Sequence, residues 1–147
     1  MKNIMIIGPA FSGKSKLANF LKSINDDAVV LNVKNLCISK ALSSGENPDT
    51  ISRSFTLSEI KDAVDSYLSE HHVDKDKSLI LDGLITDVNH ESLLFTYDFI
   101  DHIVLIKKDS GDEMFEEIKK LLENHNKEFT VMEFKNNNLS FPNVFKL

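Results

Sequence analysis

Gly8-Pro9-Ala10-Phe11-Ser12-Gly13-Lys14-Ser15 fits the pattern GxxxxGK[ST]. A turn of that spacing aims successive backbone N–H groups inward, and a helix beginning at Gly13 adds its positive end, which together make a cradle for phosphate oxygens. Gly8, Ala10, Phe11, Ser12, Gly13, Lys14, Ser15 and Lys16 would then surround the phosphates of a nucleotide such as ATP. Lys14 would bridge the β and γ oxygens, and Ser15 would ligate Mg2+. The string alone arises by chance in roughly one chain of this length in 200. Its setting between an apolar run and a helical pattern favours the cradle over a tight turn with an incidental lysine and serine.

Asp82 closes the apolar run Ser78-Leu79-Ile80-Leu81, at the edge where a parallel sheet binds ligands. A carboxylate there suits magnesium held through water, and Lys14 and Asp82 are the expected catalytic pair. An Asp-Gly pair also turns a chain, which is the plainer reading of Asp82-Gly83. Lys107 and Lys108 follow the fourth apolar run at the same edge. His71-His72 end a helical pattern, where adjacent side chains diverge and the helix dipole favours the charge, so they are read as structural.

These groups need a sheet and helices to hold them. Ile4 to Ile7 is a continuous apolar run bounded by Gly8-Pro9, as in a strand buried on both faces. Leu17, Ala18, Phe20, Leu21 and Ile24 recur at helical spacing from Lys14 onward. The spacing predicts further strands at 28–31, 78–81, 100–106 and 129–134. Helices are predicted at 34–42, from Thr56 or Ser58 to His71-His72, at 87–97 and at 114–122. Strands alternating with helices imply a three-layer α/β fold of P-loop NTPase type, with a five-stranded parallel sheet covered on both faces. No repeat or linker interrupts the rhythm, so residues 1–147 are expected to form one domain starting at Met1.

Composition narrows the partners. The chain has 147 residues, of which 41% are hydrophobic and 27% charged, and no apolar run nears the roughly 20 residues of a membrane span. A net charge of −6 makes nucleic acid an unlikely partner and leaves a small-molecule nucleotide as the expected one. The single cysteine, Cys37, has no internal disulfide partner, so a reducing, cytoplasmic setting is expected. Of 17 basic residues only Arg53 is an arginine, the side chain that grips phosphates bidentately. Arg53 is read either as a phosphate contact or as a solvated loop residue. Nothing in the sequence fixes an oligomeric state.

The P-loop, the helix around Lys40-Ala41, the long helix from Thr56, and Leu81-Asp82-Gly83, in that order, resemble a small nucleoside monophosphate kinase of the adenylate kinase type. The resemblance covers residues 1 to about 106. It implies ATP and Mg2+ as ligands, transfer of the γ-phosphoryl group to a nucleotide, and an acceptor clamp at residues 33–72. Lys40, Arg53 and Thr86 become the acceptor candidates, and Lys107 and Lys108 would begin a lid reduced to 107–117. The resemblance also implies a base-binding loop at Asn136-Asn137-Asn138 and Phe141-Pro142, with a disordered tail as the rival reading. The chain departs from that family in arginine: Lys40 stands where the helix after strand 2 carries one, and Gly83-Leu84-Ile85-Thr86 has none. A non-catalytic or weakly hydrolytic nucleotide-binding protein, or a kinase for a small metabolite, is the alternative.

Overall fold

The computed structural model describes residues 3–8, 13–51, 55–71, 77–82, 100–108, 113–135 and 138–140. Their elements follow in order as β1 (Ile4–Ile7), α1 (Lys14–Ser23), β2 (Val29–Asn32), α2 (Val33–Ser43), a 3-10 turn (Pro48–Thr50), α3 (Leu57–Glu70), β3 (Leu79–Asp82), β4 (His102–Lys107), α4 (Glu113–Asn124), β5 (Phe129–Lys135) and β6 (Asn138–Ser140). The sheet order is β2-β3-β1-β4-β5-β6. The first five strands pair in parallel, and β6 returns antiparallel along β5. The expected five parallel strands are present, shifted by a residue or two at their ends. The predicted helix at 87–97 lies outside the described residues.

Strand alternation sorts the core into two layers. Met5, Ile7, Leu81, Ile103 and Leu105 face Val33, Cys37, Ile60, Val64, Phe115, Ile118 and Leu122 from α2, α3 and α4. Ile4, Ile6, Ile80, Val104 and Ile106 face Leu17, Ala18 and Leu21 of α1. Both sides of β1 are therefore covered, which is why its sequence is apolar at every position. Each Leu or Ile taken fully out of water contributes about 1.5–3 kcal/mol, so this double burial fixes β1 at the centre. β3 obeys the same parity. Ile80 points to the α1 layer, and Asp82, two residues on, points the same way.

The far edge of the sheet is tied by Asn3. Its N–H donates to Asp101 Oδ2 at 2.9 Å, and its Oδ1 accepts from the Leu79 N–H at 2.8 Å. One residue thereby holds the starts of β1, β3 and β4 level. At that edge His102, only 7% exposed, reaches Glu128 Oε1 at 3.1 Å and Thr130 Oγ1 at 2.6 Å, linking β4 to β5.

Asn138 is a correction to the sequence reading. It was expected in a base-binding loop with Asn136 and Asn137, but it opens β6 and pairs with Lys135. The alternation of Phe129 to Phe134 ends in a polar run with no strand period, so the hairpin left no pattern to follow. Asn136, Asn137, Phe141 and Pro142 lie outside the described residues.

α3 begins with a capping box. The Glu59 N–H donates to Thr56 Oγ1 at 3.2 Å, and Glu59 Oε1 accepts from the Thr56 N–H at 3.0 Å. Thr56→Ala should therefore cost about 1 kcal/mol and lower the melting temperature by about 2–4 °C. An unchanged thermal melt would show that α3 is held by packing alone.

Candidate functional site

The site grows out of the carboxyl ends of β1 and β3, which are direct neighbours in register Ile6 to Asp82. Gly13, at φ 83°, takes the left-handed conformation that a glycine adopts without strain and turns the chain into α1. Having no side chain, it puts no acceptor in competition for the first N–H groups of α1. Pro9, Ala10, Phe11 and Ser12 lie outside the described residues. Of the remaining motif residues, Gly8 follows β1, Gly13 precedes α1, and Lys14 and Ser15 open it. Lys14 Nζ donates to the Gly8 carbonyl at 2.8 Å, and Ser15 Oγ donates to Asp82 Oδ2 at 3.0 Å. Asp82 is 3% exposed whereas the Ser15 side chain is open to solvent. The hydroxyl and carboxylate thus form an oxygen pair with a deep wall and an open side. Lys16 is exposed on α1.

Burial penalises both charges at this site. It raises the Asp82 pKa from its ordinary 3.8, offset in part by the Ser15 hydrogen bond and by the Lys14 charge. Burial likewise lowers the Lys14 pKa from 10.5, offset by Asp82 and reinforced by the like charge of Lys34. Folded Asp82 binds its proton more tightly than unfolded Asp82, so stability present below pH 3.8 is lost as pH rises through the folded pKa. Folded Lys14 binds its proton less tightly, so the stability present above pH 10.5 is lost as pH falls through its folded value. The charged form of each group is therefore held at some cost to folding. Each mitigates the penalty on the other.

Lys40, one of the acceptor candidates, bridges two helices. Its ammonium forms an ion pair with Asp62 Oδ2 at 2.9 Å and donates to Ser66 Oγ at 2.6 Å, tying α2 to α3. It lies on the outer side of that helix pair because Val33, Cys37 and Ala41 claim the inner stripe of α2. A cavity of about 410 Å³ opens beside it between α2 and α3, lined by hydroxyls of Ser39, Ser43 and Ser66 and by Tyr67. Arg53 and Thr86 lie outside the described residues.

Lys107 ends β4, with its ammonium 5.3 Å from the centroid of the Phe115 ring, a cation–π contact on the α4 layer. Lys108 follows it. Of the segment 107–117, residues 113–117 are the first turns of α4, where Phe115 is 4% exposed. Phe115 packs into the core while Glu116 and Glu117 are exposed, and residues 109–112 lie outside the described residues. His71 caps α3 and stacks on Tyr67 at 4.0 Å, in keeping with a structural part. His72 lies outside the described residues.

Two residues at the site escape sequence reading. Asn32 is the register partner of Asp82 in β2, and its side chain caps α2 by accepting the Asn35 N–H at 3.0 Å. Asn before a helical pattern was a usable cap signal. Lys34 sits in the first turn of α2, near enough to Lys14 to lower its pKa. Its signal was a cation at the positive end of a helix dipole. Among the described residues no group of three or more His, Cys, Asp or Glu could hold a metal ion.

Five parallel strands with helices on both faces, and a P-loop lysine and serine beside the acid of the neighbouring strand, define a P-loop NTPase-like α/β fold. Among solved structures the chain is similar to one from the PezAT chromosomal toxin–antitoxin system of the human pathogen Streptococcus pneumoniae. The two share 12% identity with a TM-score of 0.55, over 95% of this chain and 71% of the other. That likeness speaks to the fold. No protein-family model and no curated protein matches the sequence. Among the described residues no helix is long and apolar enough to cross a membrane.

Asp82→Asn keeps the side-chain shape and removes a charge that burial penalises. Without ligand, the variant should melt at or slightly above the wild-type temperature at pH 7. A fall of several degrees would make Asp82 a structural turn residue. Lys40→Met should cost no more than about 1 kcal/mol, because Lys40 and Asp62 are both substantially solvated. Nucleotide affinity measured by calorimetry should not move with Lys40→Met, and a tenfold loss would return Lys40 to the site.

Proposed function

We propose that the chain binds ATP with magnesium and transfers the γ-phosphoryl group to a small acceptor, as in the nucleoside monophosphate kinases its sequence resembles. The observation that carries this reading is the 3.0 Å contact from Ser15 Oγ to Asp82 Oδ2, directly beside the P-loop lysine. A hydroxyl and a carboxylate are hard oxygen donors of the kind magnesium takes. Two donors do not make a protein cage, which fits an ion that completes its shell with phosphate oxygens and water. Ser15 and Asp82 would hold that ion, and when bound it neutralises charge on the phosphate oxygens.

The chain's own groups supply the rest. Lys14, held on the Gly8 carbonyl, exchanges that acceptor for the β and γ oxygens of the nucleotide. Its charge, together with the N–H groups at the start of α1, meets the negative charge that develops on the transferring group and leaving oxygen. The carbonyl keeps the ammonium within reach of its working position, so little reorganisation is needed on binding. Arg53 and Thr86 remain the candidates for the acceptor pocket, which a nucleoside monophosphate fits best by resemblance.

A second reading is nucleotide binding with little transfer, and the Lys40 ion pair favours it. A cation at that position of α2 is already committed to Asp62 and Ser66. An arginine closing on the transition state contributes roughly 10³- to 10⁵-fold in rate, and this chain has one arginine to offer.

Acceptor-dependent ADP release separates the readings. With ATP and magnesium, a panel of nucleoside monophosphates and other small metabolites should include at least one that raises ADP release above the no-acceptor control. Binding without acceptor-dependent release assigns the chain to the second reading. Nucleotide at a hundredfold excess over Kd adds about 2.7 kcal/mol of stability, an easily measured thermal shift. No shift at millimolar ATP or ADP would sink both readings.

Lys14→Ala deletes a charge-assisted contact of about 1.5–3 kcal/mol, so ATP affinity should fall roughly ten- to a hundredfold by calorimetry. The nucleotide-free melt should hold or rise slightly, because burial disfavours the Lys14 charge. Wild-type affinity in this variant would mean that the loop does not cradle phosphates.

A further inference from the structure

We propose that the groove between α2 and α3 is a binding site for a small organic ammonium ion, a primary amine carried on a short apolar stem. None of the residues lining it belongs to β1, β3 or the turn before α1, so the site is separate from the P-loop and can be tested whether or not the chain binds nucleotide.

The groove encloses about 410 Å³, within the usual range of small-molecule pockets. What its walls still offer is acceptors. Ser43 Oγ donates its proton to the Ser39 carbonyl at 2.9 Å, and Ser44 Oγ donates to the Lys40 carbonyl at 3.0 Å, so both hydroxyls keep only lone pairs for a ligand. His71 Nδ1 lies 3.1 Å from the Tyr67 carbonyl oxygen, which can only accept. The neutral ring therefore carries its proton on Nδ1 and leaves Nε2 as an acceptor. The Glu70 carboxylate lines the same groove, and among the described residues it has no ion-pair partner. Lys40, the lysine of the lining, is already committed. Asp62 Oδ2 at 2.9 Å, Ser66 Oγ at 2.6 Å and the Asp62 carbonyl at 3.5 Å take up its three N–H groups.

With Lys40 balanced by Asp62, Glu70 is the unbalanced charge of the groove. Unfilled acceptors around a carboxylate suit a ligand that is cationic and rich in donors. The chain itself shows how such an ion sits there, because the Lys40 ammonium rests between Asp62 and Ser66 on α3. Glu70 is four residues beyond Ser66 and so on the same stripe, about 6 Å further along the axis. An ammonium between Ser66 and Glu70 repeats the Lys40 arrangement one turn on. The helix favours it there, since the last turn of α3 holds no basic residue and Glu70 adds a carboxylate to an end that is already negative. The Tyr67 ring, stacked on His71 at 4.0 Å, and the apolar Leu36 and Ala63 give the stem a surface to lie on. A metal ion fits less well, because the lining supplies one carboxylate where a hard cation collects several charged oxygens.

The test titrates n-butylamine hydrochloride into the nucleotide-free, isotopically labelled chain at neutral pH and follows the backbone amide signals by NMR. Saturable shifts concentrated in residues 36–44 and 63–71 are expected, with a Kd on the order of 1 mM, the affinity open to a ligand of so few atoms. Sodium butyrate, of the same size and opposite charge, and potassium chloride at equal ionic strength should leave those signals in place. Glu70→Gln keeps the shape of an exposed side chain and should weaken the amine about threefold to tenfold. Glu70→Lys sets a cation into the groove from within, so saturable binding should vanish while the melt falls no lower than wild type, because a base suits that helix end. Amine binding of wild-type strength in Glu70→Gln overturns the proposal, as do butyrate shifts at the same residues or the absence of any saturable shift. Lys14, Ser15 and Asp82 lie outside the groove, so none of these outcomes bears on nucleotide binding.

Discussion

The pairing of β1 with β3 governs everything at the site. Because these two strands are direct neighbours, Asp82 is brought beside a P-loop that lies 67 positions away in sequence from its own acid. Parity then does the aiming. Ile80 must face α1 to fill the core, so Asp82 must face α1 as well, and Ser15 is the residue it meets. A one-residue slip in register would send the carboxylate into the α2–α3–α4 layer, where Leu81 now packs. The apolar alternation of β1 and β3 is therefore a constraint on chemistry as much as on stability.

The site sits at a local electrostatic expense that the rest of the fold carries. Burial works against the charge of both Asp82 and Lys14, and Lys34 adds a like charge nearby. The opposite sheet edge shows the contrary style, with Asn3 satisfying three strands and His102 hydrogen-bonded through both ring nitrogens. One end of the sheet is tied off and the other holds charges that burial penalises. This polarity follows from parallel strands, whose carboxyl ends all open onto one edge.

Legibility in the sequence tracked locality. The glycine-rich motif, α1, α3 with Thr56 as one of two cap candidates, and the buried strands were readable, because each is written in a short window of spacing and caps. Asp82 was readable as a candidate, since an acid closing an apolar run has few places to be. The contacts of Lys40 were not legible, because Asp62 and Ser66 lie across a helix pair and nothing in its own window announces them. Lys34 was passed over for the same reason. Its interest comes from Lys14, twenty residues earlier and two strands away in the sheet. β6 was missed because Asn138-Leu139-Ser140 is too short to show a period.

The long reach between Ser15 and Asp82 has a consequence in time. At a synthesis rate of about 5–20 residues per second, the 67 residues separating them take roughly 3 to 13 seconds to follow the P-loop out of the ribosome. Asn3 waits longer still for Asp101, 98 positions on. During that interval β1 has neither sheet neighbour, and Ser15 has no carboxylate to meet. The Ser15–Asp82 contact therefore cannot help to organise the emerging chain, and forms only once β3 has joined the sheet.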